Sequence, residues 1–309
     1  MRGRAQAGSA GSDVNGDVVT CVPDESTVRV MPASEFTVGH LLDTSVVNVS
    51  HVDCRGSCRH RSSEECSAHT HLVFPFRGVY LRHVGRDQAV ADANHVLFFN
   101  KDQVYQVSHP VAGGDTSLVV SLAEPMLAEL APNNLLAPQA TPTFNVQHLR
   151  IDARAQALVM LLKHSLRKGS IESLEAEGLS LTLISRALGP RTARAPGSTW
   201  ARRRLVDRVK VLLASDLSRR WTLADIASEI GGSPVYLTQA FQRVEGLPLY
   251  RYHLRLRLAR ALDLIAERDD LSGLAQDLGF SSHSHFSAAF RQAYGRTPTE
   301  FAKDFDSRA

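Results

Sequence analysis

The chain has 309 residues, 43% of them apolar, and a formal net charge of +3. That length suits two domains of ordinary size, and that apolar share is enough to build cores. The longest apolar runs, such as Val211-Leu212-Leu213-Ala214, fall far short of the ~20 residues needed to cross a bilayer.

The first 30 residues begin MRGRAQAGSAGSDVNGD. They are rich in Gly, Ala and Ser and have no apolar h-region, so they read as a disordered tail and not as a signal peptide. A cytoplasmic location is therefore expected, and four cysteines in such a chain do not suggest a disulfide framework.

Residues 31–145 are rich in strands. Short β-type runs at His71-Leu72-Val73-Phe74, Val79-Tyr80-Leu81, Val96-Leu97-Phe98-Phe99 and Leu118-Val119-Val120 alternate with turn signals at Pro75-Phe76-Arg77-Gly78, Gly85-Arg86-Asp87, Asn100-Lys101-Asp102 and Gly113-Gly114-Asp115. This spacing predicts an antiparallel barrel or jelly roll. The pattern turns helical over residues 146–188, where Leu158, Leu161, Leu162 and Leu166, then Leu174, Leu179, Leu183 and Ile184, recur at helical steps. Such helices form either a wall of the barrel domain or a dimerisation element. Residues 189–199, rich in Pro, Gly and Arg, read as a linker.

Residues 200–309 carry most of the information. They hold 17 Lys and Arg against 13 Asp and Glu, a balance that favours phosphate binding. They also contain a repeat. Leu223, Ile226, Ala227, Ile230, Gly231, Leu237, Phe241, Gly246 and Pro248 are echoed by Leu271, Leu274, Ala275, Leu278, Gly279, Phe286, Phe290, Gly295 and Pro298. Each copy reads as two short helices around a glycine turn. In the first, Thr222 and Ser233 are N-caps, Asp225 completes an imperfect capping box, and Pro234 sits at the first helical position. Leu237 and Phe241 face inward. Val235, Tyr236, Thr238, Gln239, Gln242 and Arg243 are left outward, able to reach base edges and phosphates. In the second copy Ser281 or Ser282 caps, Phe286 and Phe290 face inward, and His283, Ser284, His285, Ser287, Ala288 and Arg291 face out. His283 and His285, two apart on a helix, do not share a face and make poor metal partners. Between the copies, Tyr250 to Glu267 reads as a helix with Arg251, Arg255, Arg257 and Arg260 as its charged positions. Its length of ~25 Å, with the flanking turns, suits two reading helices one duplex turn apart, ~34 Å.

Arg202 to Phe305 resembles the AraC/XylS family of bacterial transcription regulators. The resemblance rests on Trp221-Thr222-Leu223-Ala224-Asp225-Ile226-Ala227, on Ser233-Pro234-x-Tyr236-Leu237-x3-Phe241, on Arg255-x-Arg257-Leu258-x-Arg260-Ala261, on Gly279-Phe280-Ser281-Ser282-His283-Ser284-His285-Phe286-Ser287-x2-Phe290, and on Gly295-Arg296-Thr297-Pro298-x2-Phe301. It implies a C-terminal all-α domain with two helix-turn-helix units reading adjacent major grooves. Base contacts would fall on Val235, Thr238 and Gln239, and on His283, Ser284 and Ser287. Ala288 stands where the family often has a basic residue, so the second unit is expected to hold DNA less tightly.

The β-rich region is similar to the cupin-like effector or dimerisation domains that precede this module, which makes the whole fold α+β. A metal cupin would need more than is present. His69-Thr70-His71 supplies one histidine pair, but Val104-Tyr105 stands where a later ligand is expected. Neither a cofactor nor an enzymatic activity is therefore expected; a cupin-type metalloenzyme with a DNA-binding tail is the alternative. Cys54, Cys58 and Cys66, with His69 and His71 nearby, give a further candidate, a metal or redox site in a responsive regulator. The expected function is promoter control, as an activator, through double-stranded operator DNA. A small-molecule effector, RNA polymerase and a second copy of the chain are the other expected partners.

Overall fold

The computed structural model describes residues 36–56, 59–189 and 198–306. The expected tail, most of the expected linker and Cys58 lie outside the described residues.

The N-terminal region contains strands β1 (Phe36–Asp43), β2 (Val47–Cys54), β3 (His71–Gly78), β4 (Tyr80–Val84), β5 (Asp87–Ala91), β6 (His95–Phe99), β7 (Gln106–Ser108), β8 (Asp115–Leu122) and β9 (His148–Arg150), with helix α1 (Glu124–Leu130) after β8. All pairings between these strands are antiparallel. The strands form a six-stranded sheet, β1-β2-β8-β3-β6-β9, and a three-stranded sheet, β5-β4-β7.

The two sheets do not close into the expected barrel. They stack instead. Val73, Leu97 and Phe99 on one face of the large sheet meet Tyr80, Ala89 and Ala91 of the small one. Leu72, Phe74, Phe98, Leu118 and Val120 on the other face meet helices. The break falls in β3. It pairs with β6 only through His71–Val73, and its register against β8 shifts between Pro75 and Arg77. Proline has no N–H for a ladder, so the strand bulges there. Gly78 (φ 76°) then turns the chain into the small sheet. The alternation of apolar residues is the same in a barrel wall and in a sheet covered on both faces.

Helices α2 (Ala153–Lys168) and α3 (Ser173–Leu188) follow. Asp152 caps α2 by accepting from the Ala155 N–H at 2.9 Å, and Gly169 ends it at φ 63°. Leu162, Leu183 and Ile184 are buried, but Leu174 is 81% exposed. Then come α4 (Trp200–Ser215), α5 (Leu223–Ile230), α6 (Pro234–Glu245), α7 (Leu249–Leu264), α8 (Leu271–Asp277), α9 (His283–Tyr294) and α10 (Pro298–Asp306). One apolar cluster runs from Leu72 and Phe98 through Val159 and Leu183 to Leu262, Phe286 and Phe290. The second helix pair, α8 and α9, thus shares its core with the N-terminal region. The first pair, α5 and α6, packs on α4 and α7 through Val206, Leu213, Ile226, Phe241 and Tyr252. Among the described residues no helix is long and apolar enough to cross a membrane.

Three buried histidines give the fold an acid limit. Burial holds His83, His164 and His253 down at about 4. His83 Nδ1 and His253 Nε2 have no hydrogen-bond partner, so a proton added there would be buried without an acceptor. The unfolded chain binds those protons at its ordinary histidine value of 6.5, and the folded chain does not until about 4. Stability from these groups is therefore complete above pH 6.5 and lost as pH falls toward 4. The urea midpoint should drop across that interval, and a His83→Gln, His253→Gln variant should flatten the drop. An unchanged slope in that variant would show that other groups set it.

Candidate nucleic-acid interface

Local sequence explains α6 and α9. Thr222 caps α5 and Asp225 returns the bond, so the capping box is complete. Gly231 (φ 83°) and Gly232 (φ 105°) carry the reversal at backbone angles that side chains oppose. Ser233 caps α6 through the Tyr236 N–H at 3.2 Å, and Pro234 opens it. Leu237 and Phe241 are buried, whereas Val235 is 66% and Tyr236 48% exposed. Gln239, Gln242 and Arg243 are exposed as well. Thr238 is half-buried, and its hydroxyl donates to the Pro234 carbonyl at 2.9 Å. It therefore offers a methyl group outward more readily than a hydroxyl.

In the second pair Ser282, not Ser281, is the cap, accepting from the His285 N–H at 3.1 Å. Ser281 Oγ instead lies 3.1 Å from His285 Nδ1, and Ser287 Oγ lies 3.5 Å from His283 Nε2. The two histidines thus belong to different faces. Phe286 and Phe290 are buried, and His283, Ser284, His285, Ala288 and Arg291 are exposed.

The helix between the pairs is less of a free basic surface than its composition predicts. Arg257 points back into the protein. Its Nε donates to the Leu217 carbonyl at 2.6 Å, Nη2 to the Arg219 carbonyl at 2.8 Å, and Nη1 to the Gly279 carbonyl at 3.3 Å. Arg220 adds bonds to the Gly279 and Phe280 carbonyls, both at 3.3 Å. Arg260 pairs with Asp263, which also takes Lys163 from α2 at 2.7 Å. A planar guanidinium fork can brace several carbonyls at once. Here it locks the segment entering α5 to the turn entering α9.

Sequence reasoning missed a buried charged network behind α6. Glu245, the last residue of α6, holds Lys210 of α4 at 2.5 Å and His95 of β6 at 3.4 Å. His95 in turn holds Asp92 at 2.8 Å, and the Tyr252 hydroxyl of α7 donates to Asp92. Burial opposes ionisation at Glu245, but Lys210 and His95 outweigh it and hold the carboxyl well below its ordinary range. At His95, burial and Lys210 work against the proton, and Asp92 and Glu245 outweigh them, so its value is raised. The one available signal was Lys210, a charge inside the apolar run Val209-Lys210-Val211-Leu212-Leu213.

The expected cysteine–histidine site does not assemble among the described residues. Cys66 is in a disulfide, one bond and not a framework. His69 is exposed in the bend before β3. His71 takes its bonds locally, with Nδ1 3.0 Å from Ser67 Oγ and 3.0 Å from the His69 carbonyl.

Two stabilised short helices around a glycine turn, with a polar outer face on the second, define a helix-turn-helix DNA-binding module. The helix-turn-helix domain family matches residues 226–304. The probable transcriptional regulator LumQ of Photobacterium leiognathi is 32% identical over 167 residues, 51% of this chain and 63% of LumQ. The transcriptional regulator GadX of an Escherichia coli O127:H6 strain is 29% identical over 234 residues, 75% of this chain and 82% of GadX. A solved DNA-binding transcriptional dual regulator from Escherichia coli K-12 is 32% identical, with 33% of this chain and 93% of that one covered, at a TM-score of 0.32. Residues 226–304 are thus a helix-turn-helix domain, similar to those of transcription regulators such as GadX and RhaR. Its match spans less than two thirds of LumQ.

Proposed function

We propose that the chain is a sequence-specific regulator of promoter activity that reads two successive major-groove segments and takes its input through the N-terminal region. The observation that carries this reading is the pair of capped helices, α6 and α9, with Arg257 bracing the segment that enters α5 against the turn that enters α9. Residues 200–309 form the reading domain, residues 31–145 the input domain, and residues 146–188 the helices that join their cores. Val235, Tyr236, Thr238, Gln239, Gln242 and Arg243 form the first DNA-facing surface. His283, Ser284, Ser287 and Arg291 form the second, which lacks a basic residue at Ala288. A small molecule is the proposed input. An open pocket of about 330 Å³ lined by Asn100, Lys101, Gln103, Gln139 and Thr141 has the size for one. The thiol-responsive refinement is supported by the disulfide at Cys66. RNA polymerase and a second copy of the chain remain proposed partners, and the proposed role is not enzymatic.

The test is equilibrium binding to duplexes selected from a random pool. Gln239→Ala should lose about 1–3 kcal/mol of discrimination at one base pair. Arg243→Ala should weaken all sequences alike and reduce the salt slope by about one. Substitutions on α9 should cost less specificity than those on α6. A parent protein with no preferred sequence, or a Gln239→Ala variant with unchanged preferences, would refute the reading.

A further inference from the structure

Cys54 ends β2 and Asp115 begins β8, and the two are directly paired in the antiparallel ladder. Such partners place their side chains on one face, with Cβ atoms about 4.5–5.5 Å apart. His109 comes from the loop before β8, with Nε2 2.7 Å from Asp115 Oδ1. One ligand atom from each of the three residues lies within 4.8 Å of the others, and all three residues are buried. A tetrahedral zinc ion takes sulfur at about 2.3 Å and nitrogen or oxygen at about 2.0–2.2 Å, which puts its ligand atoms roughly 3.3–3.8 Å apart. The separations of the three donors are thus within roughly 1.5 Å of that triangle before any ion enters.

The backbone around them is built to close. A Cβ on Gly114 (φ +68°) would fall 1.9 Å from the Cys54 carbonyl oxygen. One on Gly56 would fall 2.5 Å from Gly114 Cα and 3.1 Å from the His109 ring, and one on Gly78 would fall 2.0 Å from the Gly114 carbonyl oxygen. Three glycines let three segments of chain come together where the donors converge.

We propose that Cys54, His109 and Asp115 bind a divalent, zinc-like cation, with water in the fourth position. Only Cys54 is shared with the set suggested by sequence spacing. Binding would displace the Cys54 thiol proton and the proton shared by His109 Nε2 and Asp115, with the ring's remaining proton on Nδ1, leaving thiolate, neutral imidazole and carboxylate on the metal. The site is independent of the DNA-reading surface, so it is tested without DNA.

Metal-free full-length protein is titrated with Zn²⁺ against a chromophoric chelator, and with Co²⁺ to reveal a thiolate-to-metal charge-transfer band. One equivalent is expected to bind. Cys54→Ser should abolish the band and weaken affinity at least tenfold. His109→Gln and Asp115→Asn should weaken affinity to a similar degree. A Cys21→Ser, Cys58→Ser, Cys66→Ser variant should keep the band. Zn²⁺ should raise the melting temperature of the parent but not of His109→Gln, which keeps the test valid if Cys54→Ser folds poorly. No binding by the parent overturns the site. So does binding that survives in the Cys54, His109 and Asp115 variants, or a band lost in the triple cysteine variant.

Discussion

Glu245→Ala is expected to cost about 3–5 kcal/mol of folding stability, the range for removing one partner of a buried ion pair. The cost comes from what remains. Lys210 is 1% exposed and would keep its charge with its nearest counter-ion gone, and His95 would lose one of the groups that raise its value. Glu245→Gln keeps the acceptor without the charge, so it should fall between Ala and the parent. A Lys210→Met, Glu245→Leu variant should recover much of the loss, because a buried pair replaced by apolar groups of similar size is often close to neutral. Urea denaturation at neutral pH measures all four proteins. A Glu245→Ala variant within about 1 kcal/mol of the parent would remove the network from the account. The same variant should also weaken DNA binding, because Glu245 ends α6, which carries the proposed DNA-facing surface, while His95 and Asp92 belong to the N-terminal region.

Gly279→Ala should be the most damaging single change at the junction of the two helix pairs. Its φ of +76° is left-handed, which costs a residue bearing a side chain about 1–2 kcal/mol. The added Cβ would also lie 2.1 Å from the Ser218 carbonyl oxygen, a backbone atom that cannot swing aside. Ser218 and the neighbouring carbonyls are the ones Arg257 braces, so their displacement should loosen one pair against the other. Gly295 provides the control. It has a φ of +80° and open space around the Cβ position, so Gly295→Ala should lose only the backbone cost. Melting temperature and affinity for a duplex carrying both half-sites should fall much further for Gly279→Ala. Equal losses in the two variants would show that the contact with Ser218 is unimportant.

Helices α6 and α9 were legible because their determinants are local. A cap, a glycine and a proline lie within four residues of the turn they control, and Leu237 and Phe241 declare the inward face by spacing alone. The N-terminal architecture was less legible. Strand β1 is exposed through its first five residues and carries no clear alternation. Pro75 read as a turn signal, whereas it sits inside β3 as a bulge. The candidate cation site was legible only in Cys54. His109 and Asp115 lie near each other in sequence, but Cys54 reaches them only through the pairing of β2 with β8.

The sequence by itself determined the repeat, its caps and turns, and the residues that face outward on α6 and α9, because each follows from interactions between residues a few positions apart. Tertiary structure alone decided that the sheets stack instead of closing, that Arg257 braces the protein instead of facing DNA, and that Lys210, Glu245, His95, Asp92 and Tyr252 form one buried network. Asp92 and Tyr252 are 160 positions apart. A buried charge declares that it needs a partner, but only the packed chain shows which residue answers.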